Sequence, residues 1–204
     1  PYSVSEVIKI SGENRSLDQE TITKIINKVT ERDLAISASL IIFMDNKKLL
    51  TNFVSYLNKH LKERDRLISL GVGYGLISYL LKDILRFSEA FGVDIDEERL
   101  KVVKDRGINP LRLDLESEIL PFPDKHFDLV LSFGLLNHLK FVDNVLSEAS
   151  RVLKPYGIFA ISIPNLGWWI NRLCLVFGFQ PPDVEVSGRY CVGLPKLYPR
   201  QKSI

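Results

Sequence analysis

The chain has 204 residues, of which 46% are hydrophobic, and its formal net charge is only +2 at pH 7. This length suits one domain with a sizeable core, and so small a charge does not indicate a nucleic-acid-binding surface. Two cysteines are too few for a disulfide framework or a metal site, and no stretch approaches the roughly 20 apolar residues that span a bilayer. No signal peptide is visible, so composition predicts a soluble cytoplasmic domain.

Three helices are predicted before residue 65. Ser16 and Gln19 have the spacing of a capping box, which predicts a helix over residues 17–30, and the apolar segment 34–44 predicts a second. The third, capped by Asp45, would bury a face made of Leu49, Leu50, Phe53, Leu57 and Leu61. Residues 1–64 are therefore predicted to form a helical cap, which either covers a substrate as a lid or completes the core.

A glycine-rich turn follows these helices. Residues 67–70 predict a short buried strand, Gly71, Gly73 and Gly75 stand at alternate positions, and helical spacing begins at Leu76. Glycines let the backbone turn sharply and let a ligand approach without meeting a Cβ atom, while the new helix offers unpaired N–H groups. A dinucleotide-binding turn would have its third glycine where this chain has Leu76, so the spacing disfavours a dinucleotide.

An acidic residue after the second strand is placed to contact a ribose. Residues 87–93 predict that strand, and Asp94 follows the first glycine by 94 − 71 = 23 positions, close to the roughly 20 expected. A carboxylate there can accept hydrogen bonds from both ribose hydroxyls. Asp96 is the alternative acid, but it better suits the N-cap of the helix predicted over residues 97–106.

Three further strands complete the pattern. Residues 109–113 predict the third strand, which is followed by Asp114 and Leu115, and the fourth strand exits at residues 132–134. The segment Leu-Pro-Phe-Pro-Asp-Lys-His-Phe-Asp-Leu-Val leads into the fourth strand. A fifth strand is predicted over residues 158–163. Five strands that alternate with helices predict an α/β fold with a doubly wound, mostly parallel sheet.

These motifs together resemble the class I S-adenosylmethionine-dependent methyltransferases over residues 66–165. The Gly-x-Gly-x-Gly turn, the Leu-Pro-Phe-Pro loop, the Phe-Asp-x-Val strand and the segment Glu-Ala-Ser-Arg-Val-Leu-Lys-Pro-Tyr-Gly carry the resemblance. It implies a Rossmann-like core over residues 65–165 and S-adenosylmethionine as the cofactor. The implied cofactor-binding residues are Gly71, Gly73, Gly75, Asp94, Ile95, Asp114, Leu115 and Phe133.

The resemblance also implies individual roles around the adenine, and the chain departs from the family at two positions. Asp114 would accept from the adenine amino group, and Leu115 would pack on the ring or give it a backbone N–H. Ser69 stands where the family usually has an acidic residue, although a hydroxyl can still form a hydrogen bond. Tyr156 stands where the family often has glycine, whereas Asp128 in the fourth strand is expected to be structural.

The C-terminal part, residues 166–204, contains an apolar helix predicted to end at Gly178. It resembles family members that modify small molecules and glycans, in which a final pair of strands follows. Here either those strands are missing or residues 184–192 form a short hairpin instead. If they are missing, the fifth strand is an uncharged sheet edge beside an apolar helix, which predicts a homodimer. The alternative is that the N-terminal helices or the tail, residues 183–204, cover that edge.

The implied reaction is methyl transfer to an oxygen or nitrogen of a small-molecule or glycan-like acceptor. It needs mainly alignment and desolvation, and a base only if the acceptor first loses a proton. His138 is the candidate base, with Asn137 beside it on the substrate side. Trp168 and Trp169 would roof the acceptor pocket, bind a partner or pack in the core, and no metal site is predicted.

Two readings from different functional classes remain open. One is an active methyltransferase, which the glycines, Asp94 and Asp114 favour. The other is a non-catalytic module that binds S-adenosylmethionine or serves in assembly, which Ser69 and the short C-terminal part favour. A dinucleotide oxidoreductase is a distant third.

Overall fold

The computed structural model describes residue 20, residues 47–163, residue 165 and residues 167–179. Apart from Glu20, which is helical, the two helices predicted before residue 45 lie outside the described residues. Asp45 and the alternatives for residues 184–192 also lie outside them.

Helices and strands alternate along the described chain. The first half contains α1 (Lys47–His60), β1 (Arg66–Leu70), α2 (Leu76–Leu85), β2 (Glu89–Asp94), α3 (Glu97–Asp105) and β3 (Asn109–Arg112). The second half contains β4 (Phe127–Phe133), a 3₁₀ helix (Leu136–His138), α4 (Asp143–Val152), β5 (Leu153–Ser162) and α5 (Trp169–Val176). No helix in these ranges combines the length and the apolarity needed to cross a membrane.

The five strands form one parallel sheet in the order β3-β2-β1-β4-β5. Leu70, the last residue of β1, lies opposite Val93 in β2 and Ser132 in β4. The chain runs outward in one direction through β2 and β3 and in the other through β4 and β5. In such sheets ligands bind beyond the carboxyl ends of the strands, where the order reverses. The predicted doubly wound parallel α/β fold is confirmed.

Apolar clusters cover both faces of the sheet. Side chains of α1, α2 and α3 pack on one face, and those of α4 and of the loop between β3 and β4 pack on the other. Residues 67–70 and 127–132 are buried at every position. Burial on both faces explains why these strands are mostly apolar and do not alternate between apolar and polar residues.

The apolar face that α1 buries differs from the predicted one at two positions, Leu49 and Val54. Leu49 is 51% exposed, so its predicted place on the buried face is wrong. Val54 is fully buried instead, at helical spacing with Leu50, Leu57 and Leu61. The five apolar positions predicted to be buried lie on more than one face of the helix. Packing on the sheet buries only one of these faces.

Strand β5 is longer than predicted because it contains an irregularity. Phe127 pairs with Leu153, whereas Leu129 pairs with Ile158, so residues 154–157 form a bulge next to β4. Tyr156 in this bulge has a φ of +66°, the left-handed conformation that favours glycine. Within the described residues β5 is an edge strand of the sheet.

Candidate functional site

The glycine turn joins β1 to α2 at the centre of the sheet. Gly71, Gly73 and Gly75 all have positive φ angles, of 66°, 54° and 74°. The Val72 N–H donates to the Val93 carbonyl at 2.8 Å, which fixes the turn against the end of β2. Each glycine is therefore required by backbone conformation, as the sequence pattern predicted.

The three glycines differ in what surrounds them. A Cβ atom on Gly71 would come within 2.9 Å of Leu135, and one on Gly75 within 3.1 Å of Val103 and 3.2 Å of Ile108. A Cβ atom on Gly73 would meet no heavy atom within 4 Å. Gly75 therefore serves the packing of α2 against the core, while Gly73 exposes its backbone to open space beyond the sheet.

The carboxylate of Asp94 lies directly beside this open position. Asp94 is 7% exposed, and its Oδ2 accepts the Gly73 N–H at 2.9 Å. Its Oδ1 accepts the Asp96 N–H at 3.1 Å. Each oxygen of a carboxylate can accept two hydrogen bonds, so each keeps one lone pair for a further donor. The structure thus provides two acceptor sites side by side, which is what the two hydroxyls of a ribose require.

Asp96 has the capping role that the sequence predicted. Its Oδ1 accepts the N–H groups of Glu98 at 2.8 Å and Arg99 at 3.2 Å, so it is the N-cap of α3. The guanidinium of Arg99 also lies 5.8 Å from the ring of Tyr74, which is part of the glycine turn. Asp96 is therefore engaged by α3, as its N-cap and in an ion pair with Arg99 at 3.2 Å, whereas Asp94 bonds to the glycine turn.

The loop after β3 has a local hydrogen-bond network centred on Asp114. Its carboxylate accepts the Glu116 N–H at 3.0 Å and the Ser117 hydroxyl at 2.9 Å, and its own N–H donates to Glu118 at 2.6 Å. The side chain of Leu115 is 6% exposed in the apolar core, so packing on an adenine ring is not available to it. Its backbone N–H has no acceptor among the described residues, which leaves the hydrogen-bonding alternative.

Two apolar residues border the same region. Ile95 follows Asp94 directly, and its side chain is 63% exposed. Phe133, at the end of β4, is half-buried and meets Phe53 of α1 edge to face at a centroid distance of 5.6 Å. Ser69 is 7% exposed in β1, two residues before the turn.

The proposed acceptor-side residues fall into two separate groups. Asn137 Nδ2 lies 3.2 Å from His138 Nε2 in the 3₁₀ helix after β4, and His138 is exposed. Trp168 and Trp169 meet edge to face at 6.3 Å and are 45% and 62% exposed, so neither packs in the core formed by the described residues. Cys174 in α5 is buried, as expected for a packing residue.

Sequence reasoning missed a clamp that holds the Leu-Pro-Phe-Pro loop. Arg151 donates to the carbonyl oxygens of Phe122 at 2.7 Å and Leu120 at 3.0 Å, and it pairs with Glu148 at 2.7 Å. Glu148 in turn accepts the Leu120 N–H at 2.8 Å. The hydrogen bond from Arg151 is the main reason why the pKa of Glu148 is lowered. The Glu-Ala-Ser-Arg segment, noted only as part of a resemblance, is this clamp.

A second ionic network lies at the opposite, amino ends of the strands. Asp128 accepts the N–H groups of Asp65 and Arg66, both at 2.9 Å, and pairs with Lys154 at 2.7 Å. Lys154 also contacts Glu63 and Asp65, so one ammonium serves three carboxylates that lie within 4.8 Å of one another. The cluster is a salt-bridge network, and Asp128 is structural, as predicted.

Known proteins resemble the chain over the same core. Residues 68–161 match the model of a family described as a methyltransferase domain. The chain is 37% identical over 109 residues to a ubiquinone/menaquinone biosynthesis C-methyltransferase of Neisseria gonorrhoeae, a match to 50% of this chain and 44% of that protein. It is 34% identical over 101 residues to a protein of Mycolicibacterium smegmatis named as a probable S-adenosylmethionine-dependent methyltransferase, which covers 48% of this chain and 37% of that one.

A solved structure supports the same fold. A crystal structure of a Pyrococcus horikoshii protein superimposes with a TM-score of 0.52 and 30% sequence identity, over 62% of each chain. The chain spans less than half the length of the two curated relatives named above.

Proposed function

We propose that the chain binds S-adenosylmethionine and methylates a small-molecule or glycan-like acceptor, because residues 68–161 match the model of a methyltransferase-domain family. The observation that carries this proposal is the open backbone at Gly73, with the carboxylate of Asp94 hydrogen-bonded beside it. When bound, the cofactor would supply a methyl group activated by a sulfonium. The protein then contributes alignment and the exclusion of water.

The described residues divide among the three parts of such a ligand. Asp94 would accept from the two ribose hydroxyls through its free lone pairs, and Ile95 would cover one face of the adenine. Asp114 and the Leu115 N–H would contact the adenine edge. The backbone at Gly71 and Gly73, with Ser69 and Phe133 nearby, would border the methionine part. A buried hydroxyl at position 69 can orient an ammonium or a carboxylate, although without the charge of an acid.

The acceptor side is proposed to lie beyond β4. His138 would remove a proton from an oxygen or nitrogen acceptor. In the structure Asn137 Nδ2 donates to His138 Nε2 at 3.2 Å, so the acceptor would have to replace Asn137 at this nitrogen before His138 can act as the base. Methylation of carbon is the second candidate, because the Neisseria relative is named a C-methyltransferase. Methylation of a neutral carbon also needs a base, so a role for His138 would not distinguish the two candidates. The methylated product identifies the acceptor atom.

The surrounding segments are assigned as proposals too. Residues 1–64 would form the helical cap, residues 65–165 the cofactor-binding core and residues 166–204 the C-terminal part. The edge strand β5 and the exposed apolar side chains in α5 and at its two ends favour a homodimer built on this region. These side chains are Trp168, Trp169, Leu173, Leu175, Val176 and Phe177.

Transfer of a labelled methyl group tests the proposal. The protein is incubated with S-adenosylmethionine labelled with ¹³C in its methyl group and with panels of hydroxyl, amine and quinol compounds. We expect a labelled product, whose methyl chemical shift identifies a bond to oxygen, nitrogen or carbon. Tight binding of the cofactor without transfer to any panel member, or slow loss of the label to water only, would favour the non-catalytic alternative.

A further inference from the structure

The loop after β3 is hydrogen-bonded to the segment after β4. Glu116 Oε1 accepts the backbone N–H groups of Lys140 at 2.5 Å and Phe141 at 3.1 Å. Asn144 Nδ2, in the first turn of α4, donates to the carbonyl oxygens of Leu115 at 3.0 Å and Glu118 at 3.2 Å. Four hydrogen bonds thus join two segments that are distant in sequence.

These two segments carry different parts of the proposed site. The first contains Asp114 and the Leu115 N–H, which would contact the adenine. The second begins with the 3₁₀ helix Leu136–His138, and Lys140 follows His138 by only two positions. The bonds at Glu116 involve an ionised acceptor and are therefore stronger than neutral hydrogen bonds. Asn144 bonds to the same loop from within α4, whereas the two bonds of Glu116 reach residues 136–141.

We infer that Glu116 is a positioning residue that couples adenine binding to the placement of residues 136–141. The inference rests on the proposed function, because it takes the loop of residues 114–118 as the adenine site. A ligand that restrains this loop restrains Glu116, and Glu116 transmits the restraint through its two bonds to Lys140 and Phe141. The carboxylates of Asp114 and Glu118 do not transmit this restraint, since they form hydrogen bonds within their own loop.

Hydrogen exchange with adenosine as the probe tests the coupling. Adenosine offers the adenine and the ribose but lacks the methionine part, so contacts of that part with residues 136–141 are avoided. In the wild-type protein, saturating adenosine should slow exchange about tenfold in both 114–118 and 136–141, the effect of roughly one charge-assisted hydrogen bond. In Glu116→Ala the slowing should remain in 114–118 and disappear from 136–141.

Glu118→Ala is the matched control, because it removes an acidic side chain from the same loop without touching the segment after β4. It should keep the response of residues 136–141 at saturating adenosine. If Glu116→Ala fails to fold, Glu116→Gln retains an acceptor oxygen without the charge and should reduce the response in 136–141 to a few-fold.

Different failures have different meanings. A response of residues 136–141 in Glu116→Ala equal to that of the wild type would overturn the coupling. So would a wild-type protein in which 114–118 responds to adenosine and 136–141 does not. In both cases the adenine site stands. If adenosine slows exchange nowhere in the wild-type protein, the proposed cofactor site itself fails, and the coupling falls with it.

Discussion

Substitution of Gly73 separates ligand binding from folding. A Cβ atom at this position meets no heavy atom within 4 Å, so Gly73→Val leaves the core packing unchanged. The cost to folding is backbone strain at a φ of +54°, which amounts to about 1–2 kcal/mol. The valine would instead fill the space proposed for the ligand. We expect calorimetry to detect no binding of S-adenosylmethionine by a variant that still unfolds cooperatively in urea.

Gly75→Val is the matched control for this experiment. Its φ of +74° carries similar strain, but its side chain would approach Val103 to 3.1 Å and Ile108 to 3.2 Å. Overpacking of a core adds about 1–3 kcal/mol, so this variant should lose more unfolding free energy than Gly73→Val. Binding at wild-type affinity by folded Gly73→Val protein would refute the placement of the ligand against this turn.

Four further substitutions test the acids and the interface. Asp94→Ala should weaken S-adenosylmethionine binding by about 2–3 kcal/mol in calorimetry. Asp96→Ala should leave this affinity unchanged and lower the unfolding free energy by about 1 kcal/mol. Equal losses of affinity in the two variants would mean that the wrong carboxylate was chosen. Because Arg151 holds the pKa of Glu148 below its ordinary value of 4.5, this carboxylate stabilises the fold above that pH, and the stabilisation is lost as the pH falls through the lowered pKa. Glu148→Gln should therefore lower the unfolding free energy at neutral pH by about 2 kcal/mol and flatten its decline in acid, and a decline as steep as that of the wild type would contradict the clamp. Trp169→Glu should convert a dimer into a folded monomer in light scattering at micromolar concentration, and a wild-type protein that is already monomeric would sink the dimer proposal.

Local signals explain how much of the site could be predicted from the sequence. Gly71, Gly73 and Gly75 are recognisable because a positive φ angle restricts the choice of residue almost to glycine. The capping role of Asp96 follows from its position two residues before the N–H group of Glu98 that it binds. Such features depend on residues that are neighbours in sequence, so spacing alone reveals them.

Features that depend on tertiary packing could not be predicted in the same way. Leu49 and Leu115 are both leucines in apolar patterns, yet one is half-exposed and the other is buried, because the sheet decides which side each one faces. The backbone groups that bond to Glu116 and Arg151 lie 24 to 31 positions away in sequence. No period or motif indicates such pairs, and only the folded chain brings them together.

Calorimetric titration of the wild-type protein is the most direct test of the cofactor site. The chain is titrated with S-adenosylmethionine and, in a parallel experiment, with a nicotinamide dinucleotide. We predict saturable binding of S-adenosylmethionine at one site per chain and no comparable binding of the dinucleotide, because the turn has Leu76 in place of the glycine that receives a pyrophosphate. Absence of heat with S-adenosylmethionine, or preferential binding of the dinucleotide, would contradict the assignment.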